Sequence, residues 1–190
     1  MEKRKAKFYF KGALIFLVCI LVIFSVVFTA GTLVLRSLYK PQYTALAEKY
    51  AAENSLELAL VYGVMHTESG FNPEAESEVG ALGLMQLTPE TFQWLQTKTG
   101  EDLPDEALKD PETNIKYGCL FLGMLQDEFG TMREMLAAYH AGRGSVNNWL
   151  SEEEYSPDGK TLQKIPYSDT AHYVSKVERA YKIYSNLYGI

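Results

Sequence analysis

The pattern of apolar and polar positions divides the chain in two. From Gly12 to Leu35 (GALIFLVCILVIFSVVFTAGTLVL) there are 24 residues without an Asp, Glu, Lys, Arg or His. At about 1.5 Å per residue that is roughly 36 Å of helix, enough to cross a ~30 Å hydrocarbon core with some tilt. The core helix of a soluble domain rarely stays apolar all round for so long, so the pattern predicts a transmembrane anchor over 12–35. A cleaved signal peptide fits less well. Its apolar stretch would be unusually long, and the nearest small-residue site, Thr29-Ala30-Gly31, is followed by more apolar sequence, Leu33 to Leu35. Cys19 lacks the preceding small residue of a lipoprotein site.

After Lys40 the apolar positions recur at helical intervals and are punctuated often. Pro41 is placed to open a helix through Ala45, Leu46, Tyr50 and Ala51, and Ser55 to cap a second carrying Leu60, Val61 and Val64. Gly70 closes that helix and Asn72-Pro73 turns the chain. Residues 74–87 read as an irregular connector with room for a short strand or hairpin. Thr88-Pro89 and Asp110-Pro111 each combine an N-cap with proline in the first turn, the latter ahead of an apolar helix from Ile115 to Phe129 that Gly130 ends. Thr131 and Glu134 form a capping-box pattern for Met132 to Ala141, Gly142 and Gly144 break that helix, and Val146 to Leu150 make a further turn. Residues 151–164 read as a polar surface loop before a last helix from about Ser168 to Leu187. The expected fold class is mainly α, a single α+β domain over 45–190, joined to the anchor by a linker at 36–44.

Charge adds orientation and excludes one class of partner. Lys3, Arg4, Lys5, Lys7 and Lys11 precede the apolar span against one acid, Glu2, whereas only Arg36 and Lys40 follow it closely. The positive-inside bias makes residues 1–11 a basic cytoplasmic segment and sends the domain across the membrane. From residue 40 onward there are 12 Lys and Arg against 23 Asp and Glu, a net charge of −11. Such a surface argues against nucleic acid as a partner, because phosphate contacts need a basic footprint. Beyond the span Cys119 is the only cysteine, so no disulfide within that domain is available and the fold must stand on its core.

The candidate chemistry begins at Glu68. It follows Val64 by four residues, Val61 by seven and Leu60 by eight, which sets it on the apolar stripe of its helix. A carboxylate there is costly unless paired or protonated, and in the last turn the helix dipole also disfavours its charge. Both effects raise its pKa, as a general acid working near neutral pH requires. Around it stand Glu68-Ser69-Gly70-Phe71-Asn72-Pro73, Ser77-Glu78-Val79-Gly80-Ala81, Gly83-Leu84-Met85-Gln86, Asp110-Pro111-Glu112-Thr113-Asn114-Ile115 and Ala138-Tyr139-His140-Ala141-Gly142. Ile165-Pro166-Tyr167 and Asp169-Thr170-Ala171-His172-Tyr173-Val174 complete the series. In this order and spacing the motifs resemble the soluble lytic transglycosylase family of lysozyme-like enzymes, over roughly residues 45–187.

The resemblance implies a lysozyme-like fold, peptidoglycan glycan strands as substrate, and no cofactor or metal. It implies Glu68 as the single catalytic carboxyl, protonating the glycosidic oxygen and then deprotonating the sugar's own C6 hydroxyl, to leave a 1,6-anhydromuramic end. Ser77 is expected near the reacting sugar, Gln86 on the substrate or holding Glu68, and Tyr139 and Tyr173 lining the cleft. His140 and Asp169 complete the expected substrate-binding set. Three positions depart from the family pattern: His140 stands where asparagine is usual, Asp169 where glutamate is common, and Ala171 where arginine is frequent. His140 adds a titratable group to the cleft. Two other classes fit the same chain. A muramidase needs a second carboxylate, for which Glu74, Glu76 and Glu78 are nearest in sequence. A non-catalytic wall-binding protein would be marked by loss of the glutamate, which is present. Tyr62, Phe92 and Trp94 fit either a groove or a core.

Overall fold

In the computed structural model the backbone is described for residues 2–190 and side chains for residues 17–190. The side chains of Lys3, Arg4, Lys5, Lys7 and Lys11, and the first five positions of the expected span, lie outside that set. The chain divides at Lys40–Pro41 into two units. The first is one helix, α1 (Glu2–Leu38). Within it the 22-residue stretch Leu17–Leu38, with mean hydropathy 2.7 over its most apolar 18 residues, is long and apolar enough to cross a membrane. Leu21, Ile23, Phe24, Val27 and Phe28 are exposed, as lipid contact requires.

The second unit is helical throughout: α2 (Thr44–Glu53), α3 (Leu58–Glu68), α4 (Pro89–Thr99), a 3-10 turn (Asp105–Lys109), α5 (Pro111–Phe129), α6 (Met132–Ala141), α7 (Arg143–Ser151) and α8 (Ser168–Tyr188). The strand or hairpin expected in 74–87 is reduced to isolated antiparallel bridges, Glu76 to Leu82 and Leu82 to Leu87. The backbone of that loop is held largely by side chains from the helices rather than by a sheet, as described below.

Helix α3 is the axis of the domain. It carries more than an apolar stripe: from Ala59 to Met65 every residue is buried, the signature of a helix wrapped on all sides. The closest neighbour is α8. A methyl group on Gly63 would stand 3.1 Å from the Tyr181 amide nitrogen and 3.3 Å from the Val177 carbonyl, so this glycine sets the distance between the two backbones.

The proline caps form as the sequence predicts. Thr88 accepts from the Thr91 amide and Asp110 from the Thr113 amide, each ahead of proline in the first turn. Three other local signals resolve differently. Ser55 does not cap α3; at φ 55° it terminates α2, with the Leu56 amide bonded to the Ala51 carbonyl and the Ser55 amide to the Ala52 carbonyl, a Schellman arrangement. Thr131 and Glu134 do not form a capping box. Glu134 is buried, its carboxylate accepting from the Thr131 hydroxyl and from the Leu162 amide at 2.6 Å. It therefore anchors the 151–167 segment, and Ser156, Leu162 and Ile165 are buried there, so the segment is not merely a polar loop. After Gly142 the chain returns at once to a full helix, α7.

The 82–87 loop is pressed close to the start of α5. A methyl group on Gly83, at φ 76°, would lie 2.2 Å from the Leu108 carbonyl oxygen and 2.3 Å from Asn114 Nδ2. Gly100 has nearly the same backbone, φ 75°, with open space around it. Gly100→Ala should therefore cost about 1 kcal/mol, the left-handed penalty alone. Gly83→Ala should cost about 3 kcal/mol or more, because overlap is added to it. Urea unfolding of the two variants measures both; equal losses would show that the close approach is not what demands glycine at position 83.

Candidate active site

Glu68 is the last residue of α3, where that buried helix emerges from the core. It is half-buried. Desolvation raises its pKa to about 7, and the Tyr173 hydroxyl pulls weakly the other way. That hydroxyl falls short of hydrogen-bonding geometry and is, among the described residues, the buried side-chain polar atom without a partner. Tyr139 comes from α6, and its hydroxyl donates to the Met85 carbonyl at 2.7 Å. Burial and the nearby Glu68 charge push both phenols well above their ordinary range, so both remain O–H donors at neutral pH. The site thus joins a carboxyl poised between its two states to two hydroxyls that do not titrate with it.

The Met85 carbonyl is itself placed by Asn114, which is fully buried. Its Oδ1 accepts from the Met85 amide at 2.7 Å, and its Nδ2 donates to Leu82 O at 2.9 Å and Leu108 O at 2.7 Å. Ser69, next to Glu68, donates to Leu84 O at 2.8 Å. The 82–87 loop is therefore tied to α5, to the end of α3 and to α6. Neither Asn114 nor Ser69 stands out in the sequence as a site residue. One signal existed for Asn114: it is a polar side chain on the buried face of α5 that also carries Tyr117, Gly118 and Phe121.

The other expected residues divide. Ser77 accepts from the Ala81 amide at 3.0 Å and so closes its own loop. Gln86, at φ 49°, does not hold Glu68; its Nε2 donates to Ala75 O and Gly83 O at 3.1 and 3.0 Å. His140 is exposed at the end of α6, its ring stacked on Tyr173 with centroids 4.5 Å apart and its Nδ1 3.0 Å from the Thr170 hydroxyl. Partial desolvation of the ring face stacked on Tyr173 lowers the imidazole pKa, opposed by the Asp169 charge. Asp169 is exposed and accepts from the Thr170 amide at 2.8 Å. The carboxylates of the 74–78 run stay outside: Glu74, Glu76 and Glu78 are exposed, and Glu76 pairs with Lys109 at 3.6 Å. Tyr62 and Phe92 belong to the core, whereas Trp94 is half-exposed. Among the described residues no three His, Cys, Asp or Glu side chains gather as metal ligands.

The raised pKa carries a sign for stability. Below about pH 4 Glu68 is protonated in both folded and unfolded chains and contributes no charge penalty. As pH rises toward 7 the unfolded chain ionises first, and the folded protein loses stability relative to a neutral side chain at this position. The shift corresponds to about 3 kcal/mol, or about 2 kcal/mol once the solvent on the open side is allowed for. Glu68→Gln should match the parent at pH 4 and exceed it by about 2 kcal/mol at pH 8 in denaturant unfolding. A difference that stays constant across this range would mean the carboxyl is not desolvated.

Known proteins share this chain's sequence pattern and fold. Residues 45–162 match the family model described as Transglycosylase SLT domain. The soluble lytic murein transglycosylase of Escherichia coli is 35% identical over 140 residues, covering 71% of this chain and 22% of that protein. The membrane-bound lytic murein transglycosylase C of Serratia proteamaculans is 37% identical over 172 residues, 77% of this chain and 46% of its own length. The solved 70-kDa soluble lytic transglycosylase of Escherichia coli superposes with a TM-score of 0.73 at 29% identity, covering 82% of this chain and 26% of that one. The chain therefore spans less than half the length of these relatives. The match runs from α2 through the loop that precedes α8 and takes in Glu68, Gln86, Asn114 and Tyr139: the chain belongs to the transglycosylase SLT-domain family.

Proposed function

We propose that this chain is a membrane-anchored peptidoglycan lytic transglycosylase, with Glu68 acting first as acid and then as base. The observation that carries the reading is the isolation of Glu68: it ends the buried α3, where desolvation raises its pKa, while the carboxyls nearest in sequence, Glu74, Glu76 and Glu78, are exposed and Glu76 is paired with Lys109. Hydrolysis on such a site needs another carboxylate as nucleophile or to activate water. A single carboxyl suffices when the nucleophile is the sugar's own hydroxyl. Protonated Glu68 donates to the bridging oxygen as the C1–O bond breaks. The carboxylate so formed takes the C6 hydroxyl proton as that oxygen bonds to C1, which restores the acid and leaves a 1,6-anhydro end. The Tyr173 hydroxyl is suited to stabilise the carboxylate between the two steps. Ser77, Gln86, Tyr139, His140 and Asp169 are assigned to the substrate cleft. The names of the relatives, lytic murein transglycosylases both soluble and membrane-bound, support this substrate and the role of α1 as an anchor.

The basic residues before the span orient the anchor with its N-terminus in the cytoplasm and the domain facing the wall. Protease added to wall-stripped cells should remove the domain; full protection would reverse the topology. For the chemistry, Glu68→Gln keeps the size of the side chain but cannot transfer a proton at neutral pH. General acid–base catalysis contributes typically 10²–10⁴-fold, so clearing of purified wall suspensions should fall by at least about 10²-fold in this variant. Glu76→Gln, in the solvated run, should stay within about threefold of the parent. A folded Glu68→Gln chain that still clears walls would contradict the assignment.

A further inference from the structure

Tyr139 and His140 leave α6 about 100° apart and meet different neighbours. The Tyr139 hydroxyl reaches the Met85 carbonyl, while His140 turns to α8 and touches it twice. Its ring stacks on Tyr173, with centroids 4.5 Å apart and planes 30° from parallel. Its Nδ1 stands 3.0 Å from the hydroxyl of Thr170, which is buried and lies three residues before Tyr173 on the same face of α8. The hydrogen bond fixes the rotation of the imidazole, and the stack fixes its height above the phenol. Burial on the two sides of this contact is unequal. His140 is exposed, whereas Tyr173 is 7% exposed and its hydroxyl is out of solvent reach without a partner. The imidazole is therefore a layer between water and the phenol that acts on Glu68.

We propose that His140 is a positioning residue, whose ring seals Tyr173 from solvent and holds the phenol against Glu68. The inference rests on the reading of Glu68 as the acid of the reaction. The groups that act with Glu68 are Tyr173 from α8 and Tyr139 from α6, neither of them a cation. Its proton affinity is then set by how well water is kept from this corner. A buried hydroxyl without a partner draws water when a path opens, and water beside Tyr173 would solvate the Glu68 carboxylate as well. The ring does the sealing, not a charge, because desolvation holds the imidazole below its ordinary range and so neutral at pH 7. Of the elements packed against α6, α8 brings the Asp169 charge to the imidazole. The charges nearest in sequence on α5 and α7, Glu128 and Arg143, pair with each other at 2.6 Å.

The test separates the ring from its hydrogen bond, in the full chain held in detergent micelles. His140→Phe keeps a ring on Tyr173 and loses the bond to Thr170; His140→Asn keeps a polar hook and loses the ring. Wall clearing at limiting substrate, followed from pH 5 to 8, depends on the fraction of Glu68 protonated in the free enzyme. With that pKa at about 7, the rate at pH 7 should be about half the rate at pH 5, in the parent and in His140→Phe alike. Water admitted by His140→Asn should move the limb down by about one unit or more, so that the rate at pH 7 falls to about a tenth of that at pH 5. The ratio is taken within each variant, so a change in overall rate does not enter it. A second readout needs no activity: the stability gained by Glu68→Gln between pH 4 and pH 8 should persist in the His140→Phe background and shrink by about two-fifths or more in His140→Asn. Limbs and gains that coincide in all three chains would overturn the seal. A shift shared by both variants would assign the role to the Thr170 bond and overturn the ring as its basis. Chains that clear no wall at any pH would overturn the reading of Glu68 as the acid, while the unfolding measurement still decides the seal.

Discussion

The site depends on one buried amide. Asn114 fills both sides of its carboxamide, accepting from the Met85 amide and donating to the Leu82 and Leu108 carbonyls. Beyond the single Leu82–Leu87 bridge the 82–87 loop has no ladder to satisfy its backbone, and a buried unpaired group costs roughly 1–3 kcal/mol. Asn114 supplies those bonds from a rigid helix. The fit is tight enough that Gly83 and Gly118 have no room for a methyl group, the first against Asn114 and Leu108, the second against Met85. Because the loop is fixed, the Met85 carbonyl is fixed, and so is the Tyr139 hydroxyl that donates to it.

From that frame the electrostatics follow. The domain carries many acids, yet most sit in solvent, and those with lowered pKa values are paired or hydrogen-bonded: Glu101 with Lys116 and Tyr117, Glu112 with Tyr50 and Lys49, Asp158 with Thr161 and the Lys160 amide. Glu68 differs because α3 is enclosed on all sides until its last turn. Its carboxyl meets the cleft from a low-dielectric wall, beside two phenols and no cation. Desolvation without a counter-charge is the condition that raises a carboxyl toward neutrality. The close crossing of α3 and α8 at Gly63 delivers Tyr173 to the same point, and His140 stacks on the outer face of that ring.

How much of this could be read from the chain depends on the range of the interaction. Signals confined to a few residues were legible where one outcome dominates: Thr88-Pro89, Asp110-Pro111 and Gly130 act as their residue types dictate. They misled where tertiary demand outbid local preference. Glu134 leaves its capping position because the Leu162 amide needs an acceptor in the core, and Ser55 finishes one helix rather than starting the next. Glu68 was legible because its conflict, a carboxyl on an apolar stripe, is written within eight residues. The roles of Asn114 and the Met85 carbonyl were not, since their bonds join residues 29 and 54 positions apart that only the fold brings together.

In the proposed reaction one carboxyl moves one proton out and another in, with no water entering the bond. This reaction is tested most directly by digesting purified peptidoglycan with the chain in ¹⁸O-enriched water and weighing the new ends by mass spectrometry. Attack by the sugar's own hydroxyl should leave 1,6-anhydromuramoyl ends free of heavy oxygen. Reducing muramic ends carrying ¹⁸O at C1 would contradict it, since water would then have entered the bond.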